Sequence, residues 1–225
     1  MAKHHQAVGA LWADLPSEQT LKRALSALQR GPIRFRRNHV IACEGETDAY
    51  IFLVVSGVVR SCKTFQNGER AVVAFYLPGD LFGWDGDLFG WDNETSRPLS
   101  IEAASDAMVM FIKRRGLAAL AENNARLADF LRSVIVDELQ RAQQYAATIS
   151  MSAKDRFLAF LRDWSRRAGA SDCVHLPIGY QDIADHLGIK IETLSRTITE
   201  LEQSGVLARS SSRGMLTLRK RFLVT

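Results

Sequence analysis

One segment near the end of the chain, residues 178–202, limits the possible folds more than any other. Its apolar residues recur at helical spacing in two runs: Ile183, Ala184 and Leu187, then Ile189, Leu194, Ile198 and Leu201. Gly188 separates the two runs, and a glycine suits a tight turn because it adopts a positive φ easily. The spacing Ala-x3-Gly-x5-Leu therefore predicts a helix-turn-helix, in which the small Ala184 lets the second helix cross closely.

The residues after this segment predict a short β-hairpin. Ser204-Gly205 ends the second helix, and two apolar runs follow at 206–209 and 215–218. The polar stretch 210–214 between them is typical of a hairpin loop. A hairpin at this place is a wing, so residues 150–225 are predicted to form a winged helix-turn-helix domain.

The predicted second helix carries three polar side chains near its start, Glu192, Ser195 and Arg196. Arginine can donate two hydrogen bonds to guanine O6 and N7, glutamate can accept one from cytosine N4, and serine suits several base edges. A helical hairpin that only fills a protein core would instead carry an arbitrary polar face here. The residue types favour a helix that reads DNA bases over a purely structural hairpin.

The region from residue 33 to about residue 112 has the texture of a β-rich domain. Short β-branched segments at 50–55, 58–63 and 70–75 are separated by the turn signals Ser56-Gly57, Asn67-Gly68 and Pro78-Gly79. Strands of this length and spacing predict an antiparallel barrel or jelly roll. A short amphipathic helix capped by Ser17 is predicted before it, at 17–30.

An unusual repeat interrupts the β-rich region. The seven residues Gly-Asp-Leu-Phe-Gly-Trp-Asp occur at 79–85 and again at 86–92. Two copies of so short a unit are too few for a solenoid, so we interpret them as a duplication that lengthens one loop. Two alternatives stay open, a remodelled ligand pocket and a protein contact made by two exposed Trp-Asp pairs.

A long helix is predicted from Arg115 to about Ile149, because this stretch has no Pro and no Gly after Gly116. Its apolar residues form a broad stripe: Leu127, Leu131, Val134, Ile135, Leu139, Ala142 and Tyr145. Such a stripe can pack against a second copy of the chain or cover the β-rich domain, and both can hold at once. A further helix is predicted from Ala153 to Ala168, with Phe157, Phe160, Leu161 and Trp164 buried and with Gly169 as its C-cap.

The charge is concentrated at one end of the chain. The net charge is +4, and residues 150–225 hold 12 Lys/Arg against 8 Asp/Glu, whereas residues 1–149 hold 17 of each. This distribution fits a nucleic-acid-binding module attached to a neutral domain. The sequence has no long apolar run and no apolar signal stretch at its start, so we expect a soluble, cytoplasmic protein without a membrane contact.

Residues 192–196, with the sequence Glu-Thr-Leu-Ser-Arg, follow Leu187-Gly188 and resemble the helix-turn-helix of the Crp/Fnr superfamily of bacterial transcription regulators. The Fnr and FixK branch is the most similar, since the cyclic-AMP-receptor branch typically has Arg in place of Ile191 and Gly in place of Ser195. The Pro78-Gly79-Asp80 turn also matches.

The resemblance implies an α+β fold in three parts: an N-terminal antiparallel β jelly roll of the cyclic-nucleotide-binding type at 1–116, a long dimerisation helix at 117–149, and the winged helix-turn-helix at 150–225. It also implies a homodimer on double-stranded DNA with an inverted repeat of the form TTGAT-N4-ATCAA. Glu192 and Arg196 would read a G·C pair and Ser195 a nearby T·A pair. Relatives are mostly activators, so RNA polymerase is an expected partner. The expected dimer interface consists of Leu127, Leu131, Val134, Ile135, Ala142 and Tyr145.

The expected phosphate contacts are Lys190, Thr193, Arg209 and Arg213. Lys190 is a departure from the family, because relatives often have Thr or Ser at the cap before the recognition helix. A lysine caps poorly, and its charge opposes the helix dipole. We therefore expect Lys190 to contact a phosphate in the DNA complex.

The β-rich part carries no cofactor signature, so no cofactor and no metal is predicted. Cyclic nucleotide binding in relatives uses a Gly-Glu-x-Leu turn and an Arg-Ser pair, but here Trp follows Gly83 and Gly90, and Pro98 follows Arg97. Three cysteines, Cys43, Cys62 and Cys173, are too few for a four-thiolate cluster. The leading interpretation is a regulator that acts without a ligand. The alternatives are gating by a cyclic nucleotide or by haem, and a reactive thiol at Cys173.

An enzyme is not predicted. The sequence has no catalytic triad, no pair of carboxylates at catalytic spacing, no metal-ligand cluster and no phosphate-cradling loop with its Lys. A scaffold whose helix-turn-helix makes only protein contacts is the other rival, and DNA titration separates it from a regulator.

Overall fold

The computed structural model describes residues 19–46, 49–84, 96–169, 173–209 and 215–218. The chain forms two compact units. The first comprises Met1–Lys63 and Phe75–Ala142, and the second comprises Thr64–Ala74 and Gln143–Thr225. The predicted division at residues 116/117 and 149/150 stays a prediction.

The first unit is β-rich, as predicted. The elements up to residue 148 are, in chain order, α1 Gln19–Leu28, β1 Gln29–Phe35, β2 Val40–Ala42, β3 Tyr50–Ser56, β4 Val59–Thr64, β5 Arg70–Tyr76, β6 Leu81–Phe82, β7 Ser100–Ala103, β8 Ala107–Lys113, α2 Arg114–Glu122 and α3 Ala125–Thr148. Most of β5 and the end of α3 belong to the second unit. The strands form two four-stranded sheets, with the orders β1-β8-β3-β6 and β2-β7-β4-β5. The pairs β3–β8 and β4–β7 are antiparallel, which agrees with the predicted jelly roll.

The turn between β3 and β4 depends on Gly57. Its φ is +78°, a backbone conformation that is strained for residues other than glycine. A Cβ at this position would lie 2.1 Å from the carbonyl oxygen of Asp106. The predicted Ser56-Gly57 turn is therefore confirmed, and its glycine is required both by conformation and by space.

One core cluster of the first unit lies between the sheet β1-β8-β3-β6 and the helices α1, α2 and α3. Its buried members include Leu25, Ile51, Leu53, Trp84, Ile112, Leu117, Leu127 and Leu131. Trp84 is buried, and its Nε1 donates to the carbonyl oxygen of Leu81 at 3.3 Å. The first Trp-Asp pair is thus not the exposed protein contact that we considered, because its indole belongs to the core. The second copy of the repeat lies outside the described residues.

The predicted single helix from Arg115 to Ile149 is wrong in one respect, because α2 and α3 are separate helices. The helix is interrupted at Asn123-Asn124. The side-chain oxygen of Asn124 accepts a hydrogen bond from the backbone N–H of Leu127 at 2.9 Å. Asparagine favours a helix start because its side chain replaces the missing backbone acceptor. The break therefore needs neither Gly nor Pro.

The second unit contains the helical elements of the predicted winged domain. They are α4 Ala153–Arg167, β9 Cys173–His175, α5 Tyr180–Leu187, α6 Ile191–Gln203, β10 Leu207–Arg209 and β11 Met215–Leu218. The three strands form an antiparallel sheet with the order β10-β11-β9. The hairpin predicted after the second helix is therefore present.

Helix α4 begins at a well-formed cap and buries one face. The Ser152 hydroxyl accepts a hydrogen bond from the backbone N–H of Asp155 at 3.2 Å. Phe157, Leu161 and Trp164 are buried, as predicted, whereas Phe160 is only partly buried. The helix stops before Gly169, whose φ is +62°. None of the helices described here is long and apolar enough to cross a membrane.

Candidate nucleic-acid interface

Helices α5 and α6 meet at the predicted tight turn. Gly188 has a φ of +62°, which places it in the left-handed region that ends α5. The backbone N–H of Ile189 donates to the carbonyl oxygen of Ala184 at 3.1 Å, which closes the turn. Ile183, Ala184 and Leu187 are buried, so the predicted inner face of the first helix is confirmed.

Helix α6 has one buried face and one exposed face. Leu194, Ile198 and Leu201 are fully buried. The side chains of Glu192, Thr193, Ser195 and Arg196 are exposed. Positions i, i+3 and i+4 share one side of a helix. Glu192, Ser195 and Arg196 therefore lie together on the open face, near the start of the helix; we call this set the reading face.

Lys190 occupies the N-cap of α6, as expected. Its φ and ψ are −71° and 148°, and its side chain makes no capping hydrogen bond. The side chain is exposed. Glu192 in the first turn is an anion at the positive end of the helix dipole, a favourable position. The exposed cation at the cap therefore opposes the helix dipole without capping the helix, and it is accessible for another contact.

The wing is described only in its strands. Leu207 on β10 and Leu216 on β11 are buried, which attaches the hairpin to the second unit. Arg209 is the last residue of β10, and its side chain lies outside the described part of the structure, as does the whole of Arg213. Their predicted phosphate contacts stay predictions.

Two acidic side chains on α5 are nearly buried and are held by an arginine from the segment Thr64–Ala74. Arg70 donates from Nη2 to Asp182 at 2.6 Å and to Asp185 at 2.7 Å, and from Nε to Asp185 at 3.0 Å. Burial lowers the pKa of Arg70, but the hydrogen bonds to Asp185 and Asp182 outweigh this and raise it overall. Sequence reasoning missed this cluster.

His186, at the end of α5, is a second point of attachment. Its Nδ1 lies 3.0 Å from the carbonyl oxygen of Val72, and its ring stacks on Tyr145 with the centroids 4.7 Å apart. Burial lowers the pKa of His186, and the charge of Arg167 lowers it further, against the opposing effects of Val72 and Asp163. Burial therefore favours the neutral form of His186.

The backbone carbonyls at the end of α5 are also occupied. The Tyr145 hydroxyl donates to the carbonyl oxygen of His186, and Arg156 Nη1 donates to that of Leu187 at 2.8 Å. Burial raises the pKa of Tyr145, so its hydroxyl keeps the proton that it donates. These contacts satisfy acceptors that a helix end leaves without a partner.

The sequence matches two known domain families along most of its length. Residues 32–124 match the cyclic nucleotide-binding domain, and residues 125–222 match the Crp-like helix-turn-helix domain. The nitrogen fixation regulation protein FixK of Azorhizobium caulinodans is 40% identical over 191 residues, which are 82% of this chain and 74% of that protein. The chain belongs to the Crp/Fnr family of transcription regulators.

Further similarity places it among the FixK-type members of the Crp/Fnr family. FixK of Bradyrhizobium diazoefficiens is 33% identical over 181 residues, 78% of this chain and 73% of that protein. The structure of FixK2 from Bradyrhizobium japonicum superposes with a TM-score of 0.75 at 32% identity, covering 85% of this chain and 93% of that chain. The α+β fold predicted from the sequence, a β-rich domain followed by helices and a helix-turn-helix, is thereby confirmed.

The residues that we assigned to a Crp/Fnr dimer interface do not share one environment. Leu127 and Leu131 are buried in the core of the first unit, so they cannot contact a partner, and their assignment is wrong. They cover the β-rich domain instead, which is the other role that we considered for the apolar stripe of this helix. Val134 and Ile135 are partly buried against that core, Ala142 is exposed, and Tyr145 is engaged with His186.

Helix α3 nevertheless exposes two large apolar side chains. Val136 and Leu139 are 50% and 56% exposed. They are three residues apart and so lie on the same side of the helix. Neither their exposure nor that of Ala142 is explained by packing within the described residues.

The first unit contains several of the residues that the ligand alternatives involve. The Arg97 guanidinium is buried and lies 5.0 Å from the centroid of the Phe52 ring. Cys43 is exposed and Cys62 is buried, whereas the side chain of Cys173 lies outside the described residues. Among the residues that the structure describes, no group of three or more His, Cys, Asp or Glu side chains is placed to hold a metal ion.

Proposed function

We propose that this protein is a cytoplasmic transcription activator that binds as a homodimer to an inverted repeat of the form TTGAT-N4-ATCAA. The observation that carries the proposal is the reading face, Glu192, Ser195 and Arg196. It is exposed on a helix whose other side is buried. The major groove of B-form DNA is wide enough to admit an α-helix.

The chemistry of the reading face suits a G·C pair next to a T·A pair. Arg196 can donate to guanine O6 and N7 of one strand, and Glu192 can accept from cytosine N4 of the other. Ser195 is one turn from Glu192 and can contact the neighbouring pair. Lys190 and Thr193, both exposed beside this face, and the arginines 209 and 213 of the wing would neutralise phosphates.

A homodimer accounts for the apolar side chains that α3 exposes. Two copies packed through Val136 and Leu139 would remove these side chains from water, and burial of a large apolar side chain contributes about 1.5–3 kcal/mol. The resemblance to the Crp/Fnr family implies that the recognition helices of such a dimer enter successive major grooves, roughly 34 Å apart. The activator role and the contact with RNA polymerase come from the resemblance to the Crp/Fnr family.

Titration of the purified protein with labelled DNA tests the proposal. The palindrome should bind more tightly than a scrambled duplex of equal length, with an affinity that falls steeply as salt rises. Arg196→Ala should cost about 1–3 kcal/mol on the palindrome and little on scrambled DNA. Arg126→Ala is the matched control, because Arg126 is also an exposed helical arginine but lies at the start of α3.

One result would overturn the proposed function, and a second would correct the role of Arg196. Equal affinity for the palindrome and the scrambled duplex would exclude sequence reading. Equal losses on both duplexes from Arg196→Ala would assign Arg196 to a phosphate and remove it from the reading face.

A further inference from the structure

The second unit contains a segment that lies outside the helix-turn-helix family match. Thr64–Ala74, which we call the support hairpin, falls within the range 32–124 that matches the cyclic nucleotide-binding domain. In the structure it belongs to the same compact unit as α5 and α6. The second unit therefore includes residues that lie outside the helix-turn-helix match at 125–222.

The support hairpin holds α5 through an ion cluster with directional geometry. The Arg70 fork reaches Asp182 and Asp185, which lie three residues apart on one side of α5. Only 6% of the Asp182 side chain and 12% of the Asp185 side chain are exposed. Carboxylates this far from water require a cation and hydrogen bonds, because burial of a charge without a partner is costly.

A second contact holds the same helix at His186, the residue after Asp185. The backbone carbonyl oxygen of Val72, in the support hairpin, accepts a hydrogen bond from Nδ1 of His186 at 3.0 Å. Arg70 and Val72 are on one strand, β5, and they contact positions 182–186 along α5. The ion cluster and this contact together hold α5 over about one helical turn, from Asp182 to His186.

Any movement of α5 is transmitted to the reading face. The turn between the two helices is short, and Gly188 and Ile189 are bonded to the end of α5. The buried residues of the two helices, Ile183 and Ala184 on α5 and Leu194 and Ile198 on α6, belong to a packed interior. Packed interiors transmit displacement because they contain few voids.

We propose that Arg70 is a positioning residue for DNA recognition: it orients α5, and through α5 the reading face of α6. The inference rests on the proposed function, since it requires that α6 reads bases. Arg70 does not itself contact DNA in this scheme, because its Nε and Nη2 donors are directed to the two aspartates. Base reading depends on hydrogen-bond geometry to within a few tenths of an ångström, so a small rotation of α6 weakens discrimination between sequences.

The first test compares Arg70→Met with the parent on the palindrome and on scrambled DNA, over a series of salt concentrations. We expect the preference for the palindrome to fall on the order of tenfold, because coupled residues in one network show effects of this size. The slope of log affinity against log salt should stay unchanged, since no phosphate contact is removed. A phosphate-binding arginine would instead lower the slope by about 0.9 per contact.

Arg34→Met is the matched control. It makes the same chemical change in an exposed ion pair, Arg34 with Asp106, whose side chains are 74% and 60% exposed. We expect it to leave the preference for the palindrome unaltered. An equal loss of preference in Arg34→Met and Arg70→Met would overturn the inference, because the effect would then follow from charge alone.

A double-variant cycle with Asp185→Asn shows whether Arg70 acts through α5. Asp185→Asn should lower the preference for the palindrome in the same direction, and the combination with Arg70→Met should lose no more than Arg70→Met alone. Additive losses, or an unchanged preference in Asp185→Asn, would overturn the inference. If circular dichroism shows that Arg70→Met does not fold, the Asp185→Asn variant alone tests the positioning role. We expect it to fold, because it keeps the ion pair of Arg70 with Asp182.

Arg196→Ala, measured beside these variants, separates the two proposals. If Arg196→Ala loses the palindrome preference while Arg70→Met keeps it, the positioning role of Arg70 is wrong and the proposed function stands. If the parent protein shows no preference for the palindrome, the proposed function fails, and the positioning role fails with it.

Discussion

Replacement of Lys190 by serine should make the free protein more stable and its DNA complex weaker. The backbone at Lys190 already has the conformation of a capped helix start, with φ −71° and ψ 148°. Ser152, at φ −61° and ψ 156°, has nearly the same backbone and accepts a hydrogen bond from the N–H three residues later. A serine at 190 should therefore accept one from the N–H of Thr193.

The expected stabilisation follows from two effects. A serine cap contributes about 1 kcal/mol relative to a residue that cannot cap. Removal of a cation from the positive end of the helix adds about 0.3–1 kcal/mol at an exposed position. A gain of 1 kcal/mol raises the melting temperature by roughly 4–8 °C for a domain of 60–100 residues. Thermal unfolding followed by circular dichroism measures this change.

The DNA complex should respond in the opposite direction. If Lys190 contacts a phosphate, Lys190→Ser weakens binding to the palindrome and lowers the salt slope by about 0.9 for each recognition helix. Lys190→Ala separates the two effects, because alanine removes the charge without capping. It should show the same loss of slope and no cap contribution. Lys190→Ser binding as tightly as the parent at matched salt, with an unchanged slope, would refute the reasoning.

Two further predictions concern stability and assembly. Burial lowers the pKa of His186 in the folded protein, so the unfolded chain takes up a proton first as the pH falls below about 6.5. The free energy of unfolding should therefore decrease below that pH, by at most about 1.4 kcal/mol per pH unit, until the pH reaches the pKa of His186 in the folded protein. His186→Asn, which keeps a donor near Val72, should lose this dependence in urea unfolding at pH 8 to 5; parallel pH curves for the two proteins would contradict it. Leu139→Asp should shift a dimer toward monomer in sedimentation, whereas Gln144→Asp, an exposed polar position elsewhere on α3, should not; a monomeric parent would exclude the dimer itself.

The helix-turn-helix could be predicted closely because local patterns determine it. Ile183, Ala184 and Leu187 define one buried face and Leu194, Ile198 and Leu201 the other, and Gly188 satisfies a backbone requirement that few residues meet. The exposure of Glu192, Ser195 and Arg196 follows from the same periodicity. Each of these features depends on residues close together in the chain.

Features that depend on distant residues or on competing partners could not be predicted in this way. The apolar stripe of α3 contains both core residues and exposed residues. Its spacing does not show that Leu127 and Leu131 belong to the core while Leu139 is exposed. The break at Asn123-Asn124 has no Gly or Pro signal and depends on a side-chain cap. Arg70 and Asp182 are 112 positions apart, and an ion pair over such a separation leaves no periodic trace.

The supports of the reading helix divide into two kinds, and the division has consequences for specificity. Helix α6 is held mainly through Leu194, Ile198 and Leu201, whose apolar contacts oppose separation but are not directional. Directional contacts, from Arg70, Tyr145 and Arg156, converge on α5 instead. If the proposed function holds, substitutions on the reading face should change which base pair is preferred, because they replace the groups that would touch it. Substitutions among the supports of α5 should lower discrimination at every position of the half-site together, because they displace the whole face without altering its chemistry.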